Sequence, residues 1–402
     1  MERWKINLAV LWFGQFFVMS GMTMIVPFLP LYIQEMGVTD PHEVAVWAGV
    51  IFAGNFITAF LFQPFWGKVA DRYGRKVMLL RSGFGMAAVM TLMGFAVNPW
   101  QLLLLRVLNG TISGFVPAAV ALMSASAPKE RMGFAMGTLQ SGMVAGTILG
   151  PVIGGVLAEI SGFRPIFYIT GGLLFTSSLL ALLTVKDKFD KKEAAKKPSI
   201  SVAEGFRKLA KIRQIPVLLA TTFIIQFSMM SSMPLMPLFV QQIHGEERLA
   251  LFSGLVGSVT GFSNMIASPL LGKLSDRIGG EKILIVSLIG AAIATLPQAF
   301  VTNVGQLLTV RFILGLFIGG MIPTVNSLIR KFTPDGMESR AYGFGSSSLS
   351  LGNMLGPTIG GAVSGLITIQ GVFVMATGIL LCGAAWAYVQ LRERGVNRST
   401  SS

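Results

Sequence analysis

Gly67-Lys68-Val69-Ala70-Asp71-Arg72-Tyr73-Gly74 recurs as Gly272-Lys273-Leu274-Ser275-Asp276-Arg277-Ile278-Gly279, a shift of 205 residues in a chain of 402. The same shift lays Gln101 on Gln306, Arg106 on Arg311, Gly110 on Gly315 and Gly114 on Gly319. One residue more lays Gly150-Pro151 on Gly356-Pro357 and Gly154-Gly155 on Gly360-Gly361. Soluble solenoids repeat over about 20–50 residues, whereas a single long repeat is the pattern of paired membrane halves. The sequence therefore predicts an internal duplication.

Composition agrees. Hydrophobic residues make up 52% of the chain and charged residues 12%, against about 25% charged in ordinary soluble domains. The charges fall in short strips between apolar stretches of about 20 residues, the length that crosses a hydrocarbon core as a helix. Twelve spans are expected, near 6–29, 45–66, 77–97, 101–123, 133–157, 165–185, 215–238, 249–271, 282–301, 305–328, 341–364 and 370–391. The first is too long for a signal-peptide core and no small-residue cleavage site follows it. The expected fold is an all-α integral membrane protein of twelve transmembrane helices in two six-helix pseudo-symmetric bundles. Residues 1–185 form the first bundle, 186–214 a linker, and 215–402 the second bundle with a short tail.

Basic residues in short loops stay on the cytoplasmic side. Alternate turns hold Lys68, Arg72, Arg75 and Lys76, then Lys273, Arg277 and Lys282, then Arg330, Lys331 and Arg340. The opposite turns hold only Arg164 and Arg248 beside Glu35, Asp40, Glu43, Glu159, Glu246 and Glu247. Both termini and the linker are thus expected on the cytoplasmic face of the cell membrane. The net charge of +14 would suggest nucleic acid in a soluble domain. Here it is spread over every inner turn with no stacking platform, so topology and lipid contact explain it and no nucleic-acid partner is expected. The linker turns amphipathic at Val202, Phe206, Leu209 and Ile212, as a short helix on the membrane would. One cysteine, Cys382, excludes an intramolecular disulfide or a cysteine metal cluster. His42 and His244 read as solvated residues of outer turns. No cofactor, metal or catalytic residue is expected.

Twelve spans in two halves, with the stretch Gly67 to Lys76 between spans two and three, resemble the major facilitator superfamily and its signature motif. In the second copy Gly280 and Glu281 replace the last basic pair, Arg75-Lys76. Gly67 and Gly74 suit a tight turn. Asp71 at a helix end, beside Arg72 and Arg75, suits a charge latch that favours one access state.

Span five carries Gly137, Gly146, Gly150-Pro151 and Gly154-Gly155, which is similar to the antiporter motif of the drug:proton antiporter group, in its multidrug and fluoroquinolone efflux branch. In physical terms these residues predict a bent helix closely packed on a neighbour. In span four Arg106, Asn109 and Gly110 share one helical face and resemble that family's span-four motif. A guanidinium inside a span costs at least about 2.5–3.5 kcal/mol and is functional by default. Arg106 is expected at the central cavity, with snorkelling to the outer interface as the alternative.

The chain departs from many such exporters in having no carboxylate inside any span. Glu35 at the outer end of span one and Asp71 become the candidates for proton coupling, with Glu159 behind them; a carrier needs its pKa raised by burial. Substrate contacts are expected near mid-membrane from Gln15 and Met19 with Arg106 and Asn109, and from Gln226, Met229 and Met230. Thioethers suit a pocket that repacks around different ligands. Ser346, Ser347, Ser348, Ser350 and Asn353 in span eleven suit a wet path or helix packing equally. The resemblance implies a monomeric exporter of amphipathic small molecules in exchange for protons. An importer, or a dedicated metabolite or sugar exporter, is the alternative. A membrane enzyme would need a clustered nucleophile, base or metal site, which the spans lack.

Overall fold

The structure, a computed structural model, describes residues 3–128, 131–186, 202–334 and 337–392. Among them the chain is helical, and eleven helices are long and apolar enough to cross a membrane. A twelfth, Glu338–Leu366, matches them in length but is richer in Gly and Ser. In chain order the helices are α1 Arg3–Ile25, α2 Leu29–Glu35, α3 Pro41–Tyr73, α4 Arg75–Met93, α5 Pro99–Ile112, α6 Phe115–Ser126, α7 Met132–Ser161 and α8 Phe163–Thr184. The chain then continues through α9 Val202–Ala210, α10 Gln214–Ser232, α11 Met236–His244, α12 Leu249–Ile278, α13 Gly280–Thr295, α14 Val304–Phe332, α15 Glu338–Leu366 and α16 Ile369–Arg392.

Two compact units result, Met1–Pro198 with Met236–Ser258, and Ser199–Leu235 with Val259–Ser402. In the first, α1 packs on α7 and α8, α4 on α8, and α3 on α5; in the second, α10 packs on α15 and α16, and α13 on α16. The first span of each half is interrupted at equivalent prolines. A 3-10 turn at Val26–Phe28 separates α1 from α2, and one at Met233–Leu235 separates α10 from α11.

Helix starts follow local chemistry. Asn98 and Asn303, another pair related by the 205-residue shift, each cap a helix by accepting from the amide three residues on, Gln101 and Gln306, both at 2.9 Å. The signature stretch differs from its sequence reading at one residue. Gly67 lies inside α3, which runs on to Tyr73, so the turn is made by Gly74 alone, at φ 96. Its counterpart Gly279 has φ 99. Both sit in the left-handed region that glycine adopts without steric cost. The long helix continues because nothing between Gly67 and Tyr73 forbids it. The side chains of Asp71, Arg72 and Asp276 lie outside the described residues.

Within the linker, α9 does not simply lie on a lipid surface. Leu209 is fully buried in a cluster with Ile215, Leu218, Leu284 and Ile329, and Phe206 meets Phe344 edge-on at 5.1 Å. The apolar stripe read from the sequence is real, and part of it is spent on the second unit's core.

Candidate functional site

Span four holds the polar centre of the first unit. Its first half, α5, turns Leu102, Arg106, Asn109 and Gly110 to the interior. Arg106 is 3% exposed and Asn109 fully buried, so the guanidinium does not snorkel. Its Nε and Nη2 are buried with no hydrogen-bond partner. Asn109 Nδ2 donates to Asn55 Oδ1 on α3 at 2.8 Å, leaving Asn109 Oδ1 unsatisfied. Gly110 permits this approach, because a methyl there would overlap the Asn55 carbonyl and Thr58. In the second unit Arg311 is 9% exposed and its Nη1 donates to Gln298 Oε1 at 3.4 Å. The duplicated arginines are thus both interior, with different surroundings.

Of the other residues singled out, Gln15 is 1% exposed and both its amide atoms are without partners. Met19 is half-buried and its Cβ lies against Gly146. Gln226 is occupied, donating to Asn353 Oδ1 at 2.6 Å. Met229 packs on the second unit's core, and Met230 lies against Gly356. The unsatisfied groups of Gln15 and Arg106 mark the places where an incoming polar group would be favoured, since a buried orphan donor costs about 1–3 kcal/mol, and more when charged.

The glycines of α7 form a helix seam. A methyl on Gly146 would meet the Phe16 carbonyl and the Ser20 amide, one on Gly150 would overlap Thr23 and Ser20, and one on Gly154 would meet Met24 and Phe28, all on α1 or the turn after it. Gly155 faces a different neighbour, Ala250 and Leu251 at the start of α12, where Pro151 also contacts Gly254 and Gly257. Glu159, one turn further on, accepts from the amides of Ala250 and Leu251 at 3.1 and 3.4 Å. Gly137 has nothing within 4 Å and takes no part. Gly142, which the sequence reading passed over, does: a methyl there would meet the Trp12 carbonyl at 2.8 Å. The signal was present, since 142, 146, 150 and 154 are spaced by one helical turn. The repeat does the same in α15, where Gly352, Gly356 and Gly360 lie against Gln226, Phe227, Met230 and Ser231 of α10.

Glu35 ends α2 and is exposed, yet partial burial raises its carboxyl above the ordinary carboxylate value, with the Arg164 guanidinium opposing the rise. No group of three or more His, Cys, Asp or Glu is placed to hold a metal ion among the described residues.

A duplicated set of membrane-length helices, with unsatisfied polar groups inside the bundle and glycine seams where helices approach closely, defines a polytopic transporter. The chain belongs to the Major Facilitator Superfamily, whose pattern matches residues 11–262 and again 218–402. The multidrug resistance protein MdtG of Salmonella typhimurium is 40% identical over 393 residues, spanning 98% of this chain and 97% of the relative. The protein of the same name from Salmonella newport matches to the same extent. Among solved structures, a bacterial homologue of the human lysosomal transporter Spinster superposes with TM-score 0.80 at 16% identity over 97% of each chain. The nucleoside transporter NupG gives 0.77 at 16% identity over 96% of this chain and 99% of that one. At that identity the superpositions speak for the fold alone.

Proposed function

We propose that this transporter exports amphipathic drugs or toxic compounds across the cytoplasmic membrane in exchange for protons, by alternating access, with both termini in the cytoplasm and the monomer as the working unit. The observation that carries the reading is identity of 40% across nearly the whole chain to proteins named for multidrug resistance. The glycine and proline seam of α7 supports it. Gln15, Met19 and Arg106 on the first half and Met229 and Met230 on the second are the proposed substrate contacts. Asn109 can accept through its unsatisfied Oδ1 while keeping Asn55, and Gln226 is engaged with Asn353. Gly67, Asp71, Arg72, Gly74 and Arg75 are the proposed latch.

Cells expressing the chain should lose a fluorescent amphipathic dye faster than control cells, and a protonophore should abolish the difference. Unchanged retention across a broad panel of compounds would sink multidrug export, and efflux that survives the protonophore would sink proton coupling.

Glu35 is the proposed proton carrier among the described carboxylates. Its folded-state pKa is raised, so folding favours the protonated form. The associated stability is fully present below the ordinary carboxylate value and is lost as pH rises through the folded value. Glu35→Gln should therefore flatten the pH dependence of the melting midpoint in that window. In proteoliposomes it should leave substrate exchange intact while removing substrate-driven proton flux. Proton flux equal to that of the parent protein would pass the role to Asp71.

A further inference from the structure

Span four is broken near its middle. Between α5 and α6, Ser113 is extended at φ −55, ψ 164, and Gly114 has φ 139. A break in a span strands backbone carbonyls that lipid cannot satisfy, and two side chains from neighbouring helices meet them. Trp66 Nε1 on α3 donates to the Thr111 carbonyl at 2.6 Å. Arg81 Nη2 on α4 donates to the Ser113 carbonyl at 3.3 Å, while its guanidinium stacks 3.5 Å from the Trp66 ring centroid.

The two carbonyls differ in what a continuous helix would offer them. The partner of Ser113 would be the amide of residue 117, which is Pro117 and has none, so Arg81 serves that carbonyl whether span four is bent or straight. The partner of Thr111 would be the amide of Phe115, which is available once the break closes. Of these two donors, only Trp66 holds an exchangeable place.

The other half of the duplication is an internal control. Shifting by 205 residues, Gly114 becomes Gly319, but Trp66 becomes Leu271, Arg81 becomes Val286 and Pro117 becomes Ile322. There α14 runs unbroken from Val304 to Phe332. Its own proline, Pro323, strands the Gly319 carbonyl, and Ser268 Oγ serves it at 2.9 Å. A glycine with a proline four residues on does not break the span; the break accompanies the indole, the guanidinium and a proline three residues after the glycine.

We propose that span four is a two-state hinge in which the Thr111 carbonyl exchanges the Trp66 indole for the Phe115 amide, bending and straightening the helix that carries Arg106 and Asn109. Trp66 precedes Gly67 of the signature stretch, so movement at that helix end reaches the polar centre through one hydrogen bond. Trp66 is on this account a positioning residue. The element has two discrete arrangements, which is what coupling between distant places requires.

The test uses the full chain in nanodiscs, with Cys382→Ser and spin labels at Leu104 and Ser124, exposed positions on either side of the break. A continuous helix separates their Cα atoms by about 30 Å, and the break at Ser113–Gly114 changes that separation. Trp66→Phe keeps the ring on Arg81 and removes only the donor. It should raise the population at the continuous-helix distance roughly two- to tenfold, the shift that loss of one hydrogen bond brings. Pro117→Ala, which returns an amide to Ser113, and Gly114→Ala, which disfavours φ 139, should move the distribution the same way. A Trp66→Phe distribution indistinguishable from the parent's, in protein that elutes and melts as the parent does, overturns the hinge. So does a shift with Trp66→Phe that neither of the other two variants reproduces.

Discussion

Arg106→Met is expected to abolish transport while leaving the protein at least as stable as the parent. Methionine approximates the volume and reach of arginine without its charge. In the structure Arg106 is 3% exposed, with Nε and Nη2 buried and unpartnered. An arginine inside a span costs at least about 2.5–3.5 kcal/mol, and removing one partly unpaired relieves some of that cost. A residue that folding does not need, kept at such a cost, is explained by use. Losing a charge-assisted hydrogen bond to substrate costs about 1.5–3 kcal/mol, or about ten- to a hundredfold in apparent affinity. The measurements are efflux normalised to membrane protein level and the melting midpoint in detergent. Efflux near the parent value would remove Arg106 from the site, and a fall in melting midpoint would make it structural. Arg311→Met is a useful companion. Its guanidinium has Gln298 as a partner, which that substitution would strand, so its midpoint should rise less or fall.

The duplication, the helical class and the span positions were legible because membrane-length apolar runs and a 205-residue self-match are large signals. Gly74 and Gly279 were legible as turns for the same reason, each being a glycine between a charged helix end and a new apolar run. Gly67 was misread because a glycine in a motif looks like a turn whether or not the helix continues through it, and only the backbone path decides. The interior placement of Arg106 was legible from cost alone. Its lack of partners was not, nor was the pairing of Asn109 with Asn55 across 54 residues of sequence. Partner choice depends on the rotation of each helix about its axis, and apolar spans with little periodicity do not reveal that rotation. The break in span four is of the same kind. Gly114 and Pro117 stood in the sequence, but Gly319 and Pro323 stood there too and their helix is unbroken. The halves differ in the proline's place, three residues after Gly114 and four after Gly319, and in two side chains on other helices, Trp66 and Arg81.

Alanine at Gly150 and at Gly137 should have opposite effects, although both belong to one sequence motif. Gly150 faces Thr23 and Ser20 of α1, with the Ser20 carbonyl 2.7 Å from where a methyl would sit. Backbone atoms do not turn aside as a flexible side chain does, so Gly150→Ala must force α7 and α1 apart. Overpacking of this kind costs about 1–3 kcal/mol. The displacement also spreads along the seam, because Gly142, Gly146 and Gly154 rest on the same helix and its continuation. Transport should fall several-fold and the melting midpoint with it. Gly360→Ala, against Ser231 of α10, should behave alike in the second unit. Gly137 has open space around it, so alanine there only removes the entropy penalty of a helical glycine, about 0.5–1 kcal/mol in favour of the folded state. Gly137→Ala should raise the midpoint slightly and leave transport unchanged. A large transport defect in Gly137→Ala with normal stability would mean that this face of α7 meets another surface during the transport cycle. Equal effects at 137 and 150 would mean that close approach of α7 to α1 is not what the glycines provide.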